Sequence, residues 1–200
     1  MFDDPNDIAP NPGWIEVITG SMFSGKTEEL MRRLRRARYA KKSVKIFKPR
    51  LDNRYASDSV VSHDTNHLPC VQITSPDALY SEIGKVDVIG IDEAQFFGDE
   101  IVSVCQALAA EGIRVIVAGL DMDYLGRPFG PMPNLMAVAE SVLKVHAVCA
   151  HCGALAHYSH RISDSQQLFV LGEKDVYEPL CRSCFIKATE SESKSLKMAD

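Results

Sequence analysis

The chain has 200 residues, of which 46% are hydrophobic and 24% charged, with a formal net charge of −5. That is enough to bury one medium-sized core without disulfide staples, and it suits one domain or one domain with a small appendage. The acidic balance provides no global basic field for nucleic acid or an anionic membrane surface. The most hydrophobic stretch, Ile113 to Leu120, has the length of a strand and not of a membrane span.

Residues 1–13 carry three prolines and three aspartates and read as a flexible leader. They lack the basic and apolar regions of a signal peptide, so the expected location is cytoplasmic. From Trp14 to Val148 short apolar runs alternate with amphipathic stretches. Strands are expected at 14–19, 44–48, 86–91, 113–118 and 142–148, and helices at 26–41, 76–83, 98–111 and 133–140. This alternation predicts an α/β core, residues 14–148, with a mostly parallel sheet and helices on both faces.

Between the first strand and the first helix lies Gly20-Ser21-Met22-Phe23-Ser24-Gly25-Lys26-Thr27, the phosphate-binding pattern G-x-x-x-x-G-K-S/T. Gly20 and Gly25 let the backbone curl so that successive N–H groups face a polyphosphate. Lys26 can reach the β- and γ-phosphates, and the Thr27 hydroxyl can ligate Mg²⁺. The helix that follows adds a favourable dipole. These residues predict a nucleoside-triphosphate site. The helix also carries Arg32, Arg33, Arg35, Arg36 and Arg38. Leu30, Met31, Leu34 and Ala37 form its core stripe, so the arginines read as a solvated or subunit-contact face and not as a nucleic-acid patch.

The apolar run Val86 to Ile91 ends in Asp92-Glu93. On the strand expected beside the P-loop strand, Asp92 is placed to hold Mg²⁺. Glu93 can take a proton from the attacking nucleophile, which is water in an ATPase and a substrate hydroxyl in a kinase. Phe96 and Phe97 follow, and a Gly/Pro-rich loop from Leu120 to Pro133 adds Tyr124, Phe129 and Met132. Such surroundings suit a stacked planar ligand and favour the kinase.

The composition changes at Cys149. Cys149-Ala-His-Cys152 and Cys181-Arg-Ser-Cys184 are two C-x-x-C knuckles separated by 28 residues. Four thiolates in that pattern can close a tetrahedron on a structural Zn²⁺, a redox role for one pair being the rival. His151, His157 and His160 lie nearby and could replace a ligand, but with four cysteines available none is needed. Residues 149–188 are read as the zinc-binding lobe and 189–200 as a disordered tail. Cys70 and Cys105 sit in apolar stretches and read as inert core thiols.

In order and size, these features resemble the thymidine kinase family of the cytosolic, zinc-containing type. The matching motifs run from Trp14 to Cys184: the P-loop, Asp92-Glu-Ala-Gln-Phe-Phe97, Gly119-Leu-Asp121, Pro128-Phe-Gly130 and Tyr177-Glu-Pro-Leu-Cys181. The resemblance implies a RecA-like core with a zinc lobe and transfer of the ATP γ-phosphoryl group to the 5′-hydroxyl of thymidine. It also implies a homotetramer and feedback inhibition by dTTP. By the same resemblance Glu93 is the proton acceptor, with Lys26, Thr27 and Asp92 at ATP·Mg²⁺. Met22, Phe96, Leu120, Tyr124, Phe129 and Tyr177 match the nucleoside pocket, and Arg54 lies near the 5′ end of the nucleoside. A loop over about 155–180 is expected to fold over the base. Its Gly172-Glu173 departs from the Gly-Gly of many relatives, and Tyr124 replaces a common Phe. The competing readings are an ATPase module whose zinc lobe acts on nucleic acid, and the same kinase chemistry on another deoxynucleoside such as deoxyuridine.

Overall fold

Residues 13–50, 70–162 and 176–197 are described by a computed structural model. Arg54, Gly172-Glu173 and the leader up to residue 12 lie outside these residues. The core elements in chain order are β1 (Ile15–Thr19), α1 (Lys26–Tyr39), β2 (Val44–Pro49), β3 (Cys70–Ile73), α2 (Ala78–Ile83) and β4 (Val88–Ile91). A 3-10 turn (Ala94–Phe96), α3 (Glu100–Ala110), β5 (Arg114–Gly119), α4 (Met132–Val138) and β6 (Ser141–Lys144) follow. The six strands form one sheet in the order β3-β2-β4-β5-β1-β6, and every pairing is parallel. The fold class is therefore α/β.

Helices cover both faces of this sheet, and that is why its central strands read as near-continuous apolar runs. On one face the α1 stripe of Leu30, Met31, Leu34 and Ala37 packs on Ile18, Ile46, Val88, Ile116 and Ala118. Burying each of the larger side chains contributes roughly 1.5–3 kcal/mol. α1 sits directly on the β4 backbone, because a Cβ added at Gly90 would lie 2.6 Å from Leu34 Cδ1. On the other face α2, α3 and α4 pack over Val17, Phe47, Ile89, Ile91 and Val117.

Glu16, the charged member of β1, is buried like its neighbours. Its carboxylate accepts from Arg114 Nε at 2.6 Å, Arg33 Nη1 at 2.5 Å and Trp14 Nε1 at 2.8 Å. Arg33 also pairs with Glu29, and so does Arg32. Part of the basic face of α1 is thus spent on intramolecular ion pairs.

Four expectations change. The carboxylate strand β4 is not next to β1, because β5 lies between them. β3 was not expected; among the described residues it is a short edge strand paired with β2 alone, so its pattern is weak. The single strand expected at 142–148 divides into β6, in the main sheet, and β7 (Ala147–Val148), which pairs with β8 (Leu155–Ala156). Residues 189–197, read as a disordered tail, continue helix α5 (Arg182–Lys197). Their polarity lowered the expectation of order, but Glu, Lys and Ala are good helix formers on a turn already nucleated at the second cysteine pair.

Beyond β7 and β8 comes a second hairpin, β9 (Tyr158–Arg161) with β10 (Tyr177–Leu180), followed by α5. This small lobe has its own core of Ala147, Ala156, Tyr158, Leu180 and Phe185, in which Tyr158 and Phe185 stack with centroids 4.3 Å apart.

Candidate active site

Parallel strands bring their carboxyl ends to one edge of the sheet, where ligands of open α/β folds bind. β1 is followed by Gly20, β4 by Asp92 and β5 by Leu120. Gly20 has φ 145°, and a Cβ there would meet the Val145 carbonyl oxygen at 2.1 Å. The loop continues through Phe23 at φ 62° and Gly25 at φ 83°, where α1 starts with no side-chain cap. Its first-turn N–H groups therefore face the loop, the arrangement that binds phosphate.

Within the loop, Lys26 Nζ donates to the Ser21 carbonyl at 2.8 Å, and Ser24 Oγ donates to the same oxygen at 2.7 Å. Thr27 Oγ1 lies 3.2 Å from Asp92 Oδ2. Burial lowers the Lys26 ammonium below its ordinary range, against the opposing pull of Glu93, Asp92 and Asp121. Asp92 is pushed up to about 7, first by burial and then by the charge of Glu93. Asp92, desolvated beside the Thr27 hydroxyl, is thereby a candidate ligand for a cation.

Glu93 is one of three non-glycine residues with positive φ among the described residues, at φ 54° and ψ 38°. That left-handed residue, which costs about 1 kcal/mol or more, turns the chain so that adjacent acids diverge. Asp92 is buried toward Thr27, while Glu93 is only half-buried. Gln95 Nε2 donates to Glu93 Oε2 at 2.6 Å, and Gln95 Oε1 accepts from Leu120 N at 3.0 Å. One buried amide thus ties the end of β4 to the end of β5.

The expected pocket residues Met22, Phe96, Leu120, Tyr124 and Phe129 are all half-buried, unlike core Phe47. Phe96 and Phe129 meet edge to face at 5.5 Å. The Met22 amide donates to Ser159 Oγ on β9 at 2.9 Å. Tyr177 is buried, and its hydroxyl accepts from Arg161 Nη2 at 2.8 Å. Residues 163–175 of the loop expected over the base lie outside the described residues.

The two knuckles converge. The Sγ atoms of Cys149, Cys152, Cys181 and Cys184 all lie within 4.8 Å of one another, with Cys152 and Cys181 at 3.6 Å. Zinc–sulfur bonds of about 2.3 Å in a tetrahedron require S···S separations of roughly 3.8 Å, so the cluster fits the metal. Ala150 N donates to the Pro179 carbonyl at 2.9 Å, which locks one knuckle to the strand leading into the other. Burial alone would raise the Cys149 thiol, but backbone N–H groups around it bring it down to about 6. Hydrogen bonding to Cys181 and the other thiols pushes Cys184 up to about 12. Four such thiols cannot all ionise without a cation. The histidines are engaged elsewhere: His151 and His160 bond Glu178, and His157 meets His146 edge to face. Burial pushes Cys70 up to about 11 and Cys105 to about 12, as inert thiols require.

A family model described as thymidine kinase matches residues 13–185. The chain belongs to the thymidine kinase family. It is 56% identical over 185 residues to the thymidine kinase of Rhodothermus sp., covering 92% of this chain and 87% of that one. It is 54% identical over 176 residues to the thymidine kinase of Bacteroides thetaiotaomicron, covering 88% of each chain. With that of Porphyromonas gingivalis the identity is 55% over 177 residues, covering 88% of this chain and 87% of the relative.

In this thymidine kinase family member, several side chains of the site escaped the sequence reading. Gln95 and Asp121 were quoted only as motif letters. Asp121 is buried and pairs with Lys144 of β6 at 2.5 Å. Ser159 and Arg161 carried no signal, because their partners are separated from them by 137 residues (Met22) and by a change of lobe (Tyr124).

Proposed function

We propose that the chain transfers the γ-phosphoryl group of ATP to the 5′-hydroxyl of thymidine. The observation that carries this reading is Glu93. It follows the buried Asp92 on a left-handed turn, is itself only half-buried, and is held by Gln95, the residue before Phe96.

In this mechanism the loop amides from Gly20 to Gly25 and the Lys26 ammonium hold the phosphates. Thr27 and Asp92 are the residues that would hold Mg²⁺, which neutralises phosphate charge when bound. The thymine ring is assigned to Met22, Phe96, Leu120, Tyr124, Phe129 and Tyr177, and Arg54, outside the described residues, is assigned by the family resemblance to the 5′ end of the nucleoside. The 5′-oxygen attacks the γ-phosphorus as its proton passes to Glu93. The bond to the β,γ-bridging oxygen breaks, and ADP and thymidine 5′-monophosphate result. The aromatic wall keeps water from competing as nucleophile. The four cysteines would hold a structural Zn²⁺, which would staple the lobe. Among the described residues no helix is long and apolar enough to cross a membrane. The further reading is a cytoplasmic homotetramer inhibited by dTTP in the nucleoside site.

Incubation of the protein with labelled ATP·Mg²⁺ and a panel of nucleosides, including thymidine and deoxyuridine, tests the proposal. Labelled thymidine 5′-monophosphate is expected. ATP hydrolysis stimulated by DNA, with no nucleoside product, refutes it.

A further inference from the structure

Alternate residues of a strand share one side, and on β9 two of them, Ser159 and Arg161, reach out of the small lobe into the core. Each is only 4% exposed. Ser159 meets the P-loop at Met22 N. The Arg161 guanidinium carbon lies 3.6 Å from the ring centroid of Tyr124, in the loop after β5. The same guanidinium is 5.3 Å from the ring of Tyr177 and donates to its hydroxyl at 2.8 Å. Tyr177 is directly opposite Arg161 in the β9–β10 register. One buried cation is thus held between a tyrosine of the core and a tyrosine of the lobe.

The Tyr124 loop is a firm support. Asp123 Oδ1 accepts from Leu125 N and Arg127 N, both at 2.9 Å, and Asp123 N donates to the Arg127 carbonyl. The lobe for its part has an apolar core of its own and four clustered cysteines. Each body has support of its own, Met122 and Gly126 of the loop already lie against the lobe core, and Arg161 adds a clamp where the two tyrosines meet. A planar guanidinium can stack on one ring and donate in its plane to a second group at once, which an ammonium cannot do.

Resting on the thymidine kinase reading above, we propose that Arg161 is a positioning residue for the nucleoside: it clamps Tyr124 to Tyr177 across the boundary between core and lobe and sets the shape of the nucleoside pocket, leaving the ATP loop unaffected.

Steady-state kinetics of the full, zinc-loaded chain test this. Arg161→Met is expected to raise the thymidine KM about tenfold or more, the scale of a desolvated cation–π contact. The ATP KM should stay within about twofold, with zinc content unchanged. Arg161→Lys should recover little, because charge without the planar fork does not clamp. Tyr124→Leu should raise the thymidine KM similarly, and the double variant should go little further, since the two side chains act as one unit. An unchanged thymidine KM, equal rises for both substrates, or additive effects in the double variant each overturn the clamp. If Arg161→Met does not fold, Arg161→Lys and Tyr124→Leu with their double variant decide by the same criteria. Wild-type protein that forms no thymidine 5′-monophosphate refutes the underlying reading, whereas active wild type with unmoved variants refutes the clamp alone.

Discussion

Glu93→Gln separates proton removal from everything else the carboxylate does. Gln has the same size, and its amide oxygen can still accept from Gln95 Nε2, so the bridge from Glu93 through Gln95 to Leu120 N can persist. The left-handed turn costs both residues about the same, and the fold should hold. The negative charge disappears. That charge is one cause of the upward push on Asp92, so its loss makes Asp92 easier to ionise beside a cation. ATP·Mg²⁺ binding should accordingly be unchanged or slightly tighter. The acceptor for the 5′-hydroxyl proton is lost, and general-base contributions run to about 10²–10⁴ in rate, or roughly 3–5 kcal/mol of barrier. A direct assay follows thymidine 5′-monophosphate formation in wild type and variant, with ATP dissociation constants measured in parallel. A kcat within tenfold of wild type refutes the assignment. A comparable loss of ATP affinity shows instead that Glu93 serves the nucleotide.

Other perturbations probe the scaffold. Gly20→Ala places a methyl 2.1 Å from the Val145 carbonyl oxygen at φ 145°, so the loop or β6 must shift; calorimetric titration should show ATP binding lost or weakened by orders of magnitude. Cys149→Ser or Cys152→Ser should release zinc, as metal analysis will show, and raise the thymidine KM while the P-loop still binds ATP. Glu16→Gln should cost about 3 kcal/mol at pH 7, the scale of a broken buried ion pair, read by urea denaturation. Burial would raise the Glu16 carboxyl, but Arg114, Trp14 and Arg33 outweigh it and hold it below its ordinary 4.5. Its stabilisation is therefore complete above about 4.5 and is lost as pH falls through the lowered value. The gap between wild type and Glu16→Gln should shrink in acid, and a gap that stays constant down to pH 2 contradicts the network.

Much of the site was legible because its chemistry is local. Eight consecutive residues make the candidate phosphate loop, two consecutive acids the proposed base and cation ligand, and two knuckles the cysteine cluster. Their spacing suffices because each unit is a single turn of chain whose groups must face one ligand. The strand order was less legible. Apolar runs showed that β4 and β5 are buried strands, yet nothing in them tells which one lies beside β1. That depends on how the crossovers pass over the sheet, and the expectation that β4 adjoins β1 was wrong. Edge strand β3 was missed because two middle residues of Cys-Val-Gln-Ile are only half-buried and carry little pattern.

The sequence by itself determined the class of chemistry to propose: a triphosphate loop, Asp92 for a cation, Glu93 for a base and a lobe gathered on two cysteine pairs. The tertiary structure alone decided which side chains hold those parts in place. Gln95 joins the ends of two strands, Ser159 meets the P-loop, and Arg161 lies between Tyr124 and Tyr177. Short-range motifs are written in residue order because the backbone itself brings their atoms together. The supporting contacts join residues far apart in the chain, and only the packing of sheet, loop and lobe makes them neighbours.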